Sequence, residues 1–283
     1  MPIPVLRDLV LTLAVASLAA APPLRAQNGK DSDQDQSGAW RLQGLRSGFC
    51  VWFLLDPAKL GRLLPKDADL LRADVVPDLH PALRGVISNQ PEFASWTPSG
   101  LCVYYLRQVE AGSVRTEAED SSKAPVLGLW TATAADTGGQ PRELVLALVS
   151  TDGDLRDAGR KANLDFDRLQ SRVGEVPRED GPPRPGEVRY ELKIGKTVLT
   201  WDGRASDDTT RTPEPLSLAW EAPGRKSGRV RGTLTIAPEV SMPMVGSLRV
   251  QGKDPMARAL QASPIRFVGP CYEGGSGALV IGE

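Results

Sequence analysis

Among its 283 residues the chain has one histidine, His80, and that scarcity removes most familiar catalytic machinery. A Ser-His-Asp triad or a histidine-based metal centre would have to use His80. It sits between Leu79 and Pro81 with no cysteine or carboxylate cluster around it, and it reads as an ordinary residue. There is no GxSxG elbow, Walker A loop, HExxH or CxxC pair; Gly274-Gly275-Ser276-Gly277 lacks the elbow spacing and reads as a turn. No cofactor is therefore expected. Calcium is excluded as well: Asp31, Asp33 and Asp35 imitate the start of a calcium loop, but Gln36 stands where the glycine is needed and Leu42 where the bidentate glutamate should be. An excess of either charge is also missing. Lys+Arg is 34 against 35 Asp+Glu, and arginine is scattered without a basic block or interleaved aromatics, so no nucleic-acid partner is expected.

Long apolar runs are missing except at the start. Arg7 precedes Leu9 to Ala21, then come Pro22-Pro23 and Leu24-Arg25-Ala26-Gln27. That is the pattern of a secretory signal peptide cleaved after Ala26, and the run is short for a membrane span. Residues 1–26 are read as the signal peptide, 27–42 as a flexible polar spacer and 43–283 as one β-barrel domain. Membrane contact is expected only through the signal peptide during export, to a periplasmic or extracellular location. Of the three cysteines, Cys50 and Cys102 lie in apolar strand-like runs and could bridge neighbouring strands. The alternative, slightly preferred, is that Cys50, Cys102 and Cys271 are three small buried hydrophobes.

What is present is strand. The 28 glycines and 24 prolines suit many short strands joined by turns. Ser47–Leu55 is rich in aromatic and apolar residues and leads into Asp56-Pro57, a capped helix with Leu60, Leu63 and Leu64 on one face and Pro65 as its stop. Leu70–Val76 reads as a short strand. Asp152 or Asp154 caps a short helix through Ala162, followed by alternating residues from Leu164 to Val173. Lys253-Asp254-Pro255 opens another helix. A dozen or so short strands, few helices and no βαβ rhythm predict a mainly β chain, a large antiparallel β-barrel or cone with a few short flanking helices.

The order of these elements resembles the acetoacetate decarboxylase family. There a strand leads into a helix written roughly DPxxLxxLLP, as in Asp56-Pro57 to Pro65 here. Gly159-Arg160 after the central helix resembles the family's GRE segment. The Asp254-Pro255 helix followed by Ser263-Pro264-Ile265 and a last strand also fits, so the likeness runs from about Leu45 to Glu283. It implies a cone-like barrel and, in the family, a lysine that forms a Schiff base with a β-keto acid, its pKa lowered by burial and a second cation. Here Asp167 and Arg168 occupy the two lysine positions, and the nearest lysine, Lys161, lies six residues before Asp167. An aspartate beside the site would raise a lysine pKa, the wrong direction for an amine nucleophile. The family's acidic residue falls at Cys102. Arg46 matches a family arginine before the first strand, and is equally read as a solvated strand end.

The resemblance thus implies an exported barrel binding a small organic acid or carbonyl compound in a central cavity, with Arg46, Arg160 and Arg168 as carboxylate partners and Asp167 and Cys102 nearby. Decarboxylation, a lyase activity, would require Lys161. The contrasting reading is a non-enzymatic secreted β-sandwich that binds a protein or glycan, with the arginines dispersed. Homo-oligomerisation is left open.

Overall fold

Alternating and then continuous burial along β1 (Ala39–Leu55) shows how this chain makes sheet. Trp40 and Leu42 are buried while Arg41 and Gln43 are exposed, but from Gly48 to Val51 every residue is buried, so the strand is covered on both faces. In the computed structural model, residues 38–282 are described apart from 77–78, 121–122, 137, 177–185, 227 and 264–265. The expected signal peptide and most of the spacer lie outside the described residues. The spacer boundary shifts, because Ala39–Leu42 already belong to β1.

The remaining strands are β2 (Thr97–Ala111), β3 (Val114–Glu117), β4 (Val126–Ala135), β5 (Pro141–Ser150), β6 (Phe166–Gly174), β7 (Glu187–Ile194) and β8 (Thr197–Ala205). They are followed by β9 (Thr210–Arg211), β10 (Leu216–Pro223), β11 (Arg229–Ala237), β12 (Val240–Gln251), β13 (Arg266–Glu273) and β14 (Ser276–Gly282). The helices are α1 (Pro57–Leu60), α2 (Pro81–Asn89), α3 (Gly153–Lys161) and α4 (Pro255–Ala262). The 14 strands form one sheet that closes on itself, a ring with a few short helices, as the sequence predicts, and not the two separate layers of a sandwich.

Pairing runs β1–β2–β4–β5–β6–β7–β8–β12–β13 and back to β1, a circuit of nine strands. A second circuit leaves β5 for β10, β11 and β14 and returns to β1; its seven strands include β1, β2, β4 and β5 of the first. Side-chain alternation feeds two cores across this common wall. Phe49, Val51, Phe53, Leu101, Val103 and Tyr105 enter the nine-strand ring beside Trp130 and Trp201. Cys50, Cys102, Tyr104 and Leu106 enter the seven-strand ring with Trp40 and Trp220. Each large buried side chain of this kind contributes roughly 1.5–3 kcal/mol of transfer free energy.

Two expectations are corrected. The sheet is mixed: β5 pairs in parallel with β6 and with β10. The stretch around Gly159-Arg160 is the crossover that makes the first of these, a β5–α3–β6 unit, because a parallel pair needs a helical return. Its parallel register covers only Leu148↔Phe166 to Ser150↔Arg168, too short to leave a βαβ rhythm in the sequence. Asp152 caps α3 by accepting from the Leu155 amide at 2.8 Å, and Asp56 and Asp254 cap α1 and α4 in the same way. Leu70–Val76, read as a strand, makes a single bridge from Leu70 to Ala134 and a 3-10 turn at Ala73–Val75.

The cysteine preference is also overturned. Cys50 and Cys102 are directly opposed on β1 and β2 and form a disulfide, leaving Cys271 as the buried free thiol. Their 52-residue separation makes this the bond that constrains the unfolded chain across the wall.

Two outcomes follow from the packing. A Cβ at Gly159 would lie 2.3 Å from Phe166 Cδ2, so α3 sits on β6 only because position 159 is bare. Gly159→Ala is expected to destabilise the fold by about 1–3 kcal/mol, read as a lowered denaturant midpoint. The Cys50→Ala/Cys102→Ala double variant is expected to cost roughly 2–4 kcal/mol in the same measurement, without a change of fold by circular dichroism.

Candidate functional site

A register shift decides where the site lies. Leu45 of β1 pairs with Leu106 and Ser47 with Tyr105, so Arg46 is the extra residue of a β-bulge. A bulge rotates the strand and re-aims side chains, and here it turns both Arg46 and Ser47 toward one end of the nine-strand ring. Arg46 Nη2 donates to the Ala118 and Glu119 carbonyls at 2.9 and 2.8 Å, which anchors the guanidinium; among the described residues Nε and Nη1 have no other partner.

The cavity at this end has a volume of about 480 Å³. Arg46 and Ser47 line it from β1, Tyr105 from β2, and Ser171 and Arg172 from β6. Among the described lining residues there are two arginines, no carboxylate and no lysine. Among the described residues the buried Tyr105 hydroxyl makes no hydrogen bond of good geometry, and the Ser171 side chain beside it opposes the upward shift that burial causes. A second cavity of about 520 Å³ adjoins it, sharing Ser47 and Val173 and reaching Tyr190 and Cys271. Ser47 Oγ and Tyr190 Oη are hydrogen-bonded at 2.5 Å. Burial and the nearby Glu273 carboxylate push the Cys271 thiol up, and the Ser47 and Tyr190 hydroxyls beside it oppose that shift.

The Tyr190 ring lies 4.5 Å from Phe49 and 5.7 Å from both Tyr105 and Trp201, centroid to centroid. The cavity is therefore a mouth with aromatic rings at its floor.

Of the residues singled out in the sequence, only Arg46 reaches this mouth. Arg160 and Lys161 sit exposed in the last turn of α3, with Arg160 paired to Asp157. Asp167 and Arg168 are exposed on β6 opposite Val149 and Ser150. Desolvation and the neighbouring Asp165 push the Asp167 carboxyl up. Cys102 is held in the disulfide and faces the other core. The three arginines thus do not converge; Arg172 is the second cation at the mouth. Alternation on β6 could have found its neighbours, since Leu169, Ser171 and Val173 share one face with Leu169 inside the ring.

No protein-family model matches the chain, and no curated protein is similar to it in sequence. The solved structures similar to it are acetoacetate decarboxylase and enzymes like it. One is an acetoacetate decarboxylase from Legionella pneumophila subsp. pneumophila str. Philadelphia 1, 13% identical with a TM-score of 0.46, covering 86% of this chain and 85% of that one. An acetoacetate decarboxylase-like enzyme from Sphingomonas wittichii RW1 is 11% identical with a TM-score of 0.42, covering 87% and 91%. The enduracididine biosynthesis enzyme MppR, complexed with pyruvate, is 12% identical with a TM-score of 0.46, covering 86% and 88%.

All four tyrosines of the chain are shifted upward, and burial is the first cause in each. Tyr272 is pushed up to about 12, with Cys271 adding to the effect. The folded state therefore holds these protons above the ordinary tyrosine value of about 10. Their contribution to stability is whole below pH 10 and is lost as pH rises through the folded values. In a 295-nm titration the tyrosines are expected to stay protonated through pH 10–11 and to ionise together with the loss of near-ultraviolet circular dichroism.

Proposed function

We propose that the mouth of the nine-strand ring binds a small organic acid carrying a carbonyl group, a 2-oxo or 3-oxo acid. The observation that carries this is the pair Arg46 and Arg172 in a cavity whose described lining has no carboxylate and includes the buried Tyr105 hydroxyl. The guanidinium of Arg46 presents its free edge to a carboxylate, a geometry suited to charge-assisted hydrogen bonding. The Tyr105 hydroxyl, kept protonated by burial, donates to the carbonyl oxygen. Ser47 and Ser171 take the remaining polar atoms of the ligand.

In this reading the site binds without a Schiff base. Lys161 is exposed at the end of α3 and is not among the lining residues, so among the described residues no lysine lines the cavity to attack the carbonyl. The same proposal places the chain outside the cytoplasm: the apolar N-terminal run supports a signal peptide, and the Cys50–Cys102 disulfide supports an oxidising compartment.

Pyruvate titrated into the mature protein by calorimetry is expected to bind saturably. Arg46→Ala and Arg172→Ala should each weaken it about tenfold or more, the loss of one charge-assisted contact. Lys161→Ala should leave it unchanged, and borohydride reduction should leave no adduct by intact mass. A stoichiometric adduct at Lys161, or unaltered binding in both arginine variants, would overturn the reading.

A further inference from the structure

The seven-strand ring has an opening of its own, and its chemistry is the opposite of the first. Glu143, on β5 opposite Thr133 of β4, lines a groove of about 500 Å³ beneath α2. Its carboxyl accepts from Thr131 Oγ1 at 2.5 Å and Thr133 Oγ1 at 3.2 Å. Among the described residues no lysine or arginine pairs with it. Its chain neighbour Arg142 lines the same groove, but its guanidinium is paired with Asp136 at 2.5 Å. Desolvation is the leading effect on Glu143 and pushes its carboxyl up, which is the signature of an acid lacking a counter-charge.

The walls around this carboxyl are apolar and aromatic. The Trp52 indole stacks on the His80 ring at 5.5 Å, and burial holds the His80 imidazole below its usual value. Leu79, Leu83, Pro98 and Leu218 complete the surface. Among the described residues the buried Arg142 Nε has no hydrogen-bond partner.

We propose that this groove is a second ligand site, which takes a small primary amine with an aromatic or branched apolar body. The ammonium sits on Glu143, replacing the missing counter-charge and adding to the two threonine hydrogen bonds. The body lies along Leu83, Pro98 and Leu218. A carboxylate ligand is disfavoured, because it would face Glu143 directly.

Three probes of one shape test this by calorimetry: benzylamine, benzyl alcohol and phenylacetate. Benzylamine is expected to bind saturably and at least tenfold more tightly than benzyl alcohol, with phenylacetate weakest. Glu143→Gln should reduce benzylamine to the level of the alcohol. Because Glu143 is partly buried and its replacement could disturb the sheet, a second variant is needed: Ala219→Trp, at an exposed position on the groove wall, should obstruct the groove and abolish benzylamine binding while near-ultraviolet circular dichroism stays native. Absence of saturable benzylamine binding, equal affinity for the three probes, or full binding in Ala219→Trp would each overturn the proposal.

Discussion

The ladder between β1 and β2 runs from Trp40↔Ala111 to Leu55↔Thr97, and both cores depend on it. Every second side chain on these strands belongs to a different hydrophobic interior, so one strand pair supplies the boundary of two rings. Register on such a wall is tightly constrained, because a slip by one residue would exchange the two sets. The chain reinforces it at the Cys50–Cys102 disulfide, in the middle of the ladder. Alternation on β1 changes phase twice: at Gly44, with φ of 62°, between Leu42 and Leu45 of the seven-strand core, and at the Arg46 bulge, after which Phe49 faces the nine-strand core.

The fold was partly legible in the sequence. The β-rich character and the three Asp-capped helices were readable because caps and alternation are local signals. Closure of one sheet into two rings was not, because it rests on pairings such as β5 with β10 and β1 with β14, between segments distant in sequence. The parallel junction was missed for a related reason. Only three register pairs join β5 to β6, and the crossover helix carries Arg and Lys in its last turn, so the segment did not read as a crossover.

The site was less legible than the fold. Arg46 was found by its match to a family arginine before the first strand, but its position at a bulge depends on the partner strand. Arg160 was chosen within the Gly159-Arg160 motif and Arg168 as the occupant of a family lysine position. In the structure that motif is architectural: Gly159 provides room for Phe166, and the charged residues beside it face outward. Tyr105 and Tyr190 gave no sign in the sequence, where a buried tyrosine looks like any aromatic core residue. Their role emerges only when five strands bring them to the same end of a ring as Arg46, Ser171 and Cys271.

The two openings divide the chemistry by charge. The cavity at Arg46 is lined by two arginines and by hydroxyls, with Glu187, Asp207 and Glu273 confined to the adjoining one, whereas the groove on the seven-strand ring holds a desolvated carboxyl among apolar and aromatic walls. Low-dielectric surroundings sharpen that difference, since each unpaired group is felt more strongly than it would be in water. The central claim is that the bulge at Arg46 builds an acid-binding mouth without a participating lysine. A crystal structure of the mature chain soaked with a 2-oxo acid tests it most directly. The expected result is a bound carboxylate about 3 Å from the Arg46 guanidinium with its carbonyl oxygen on Tyr105. Ligand bonded to Lys161, or an empty mouth at saturating concentration, would contradict it.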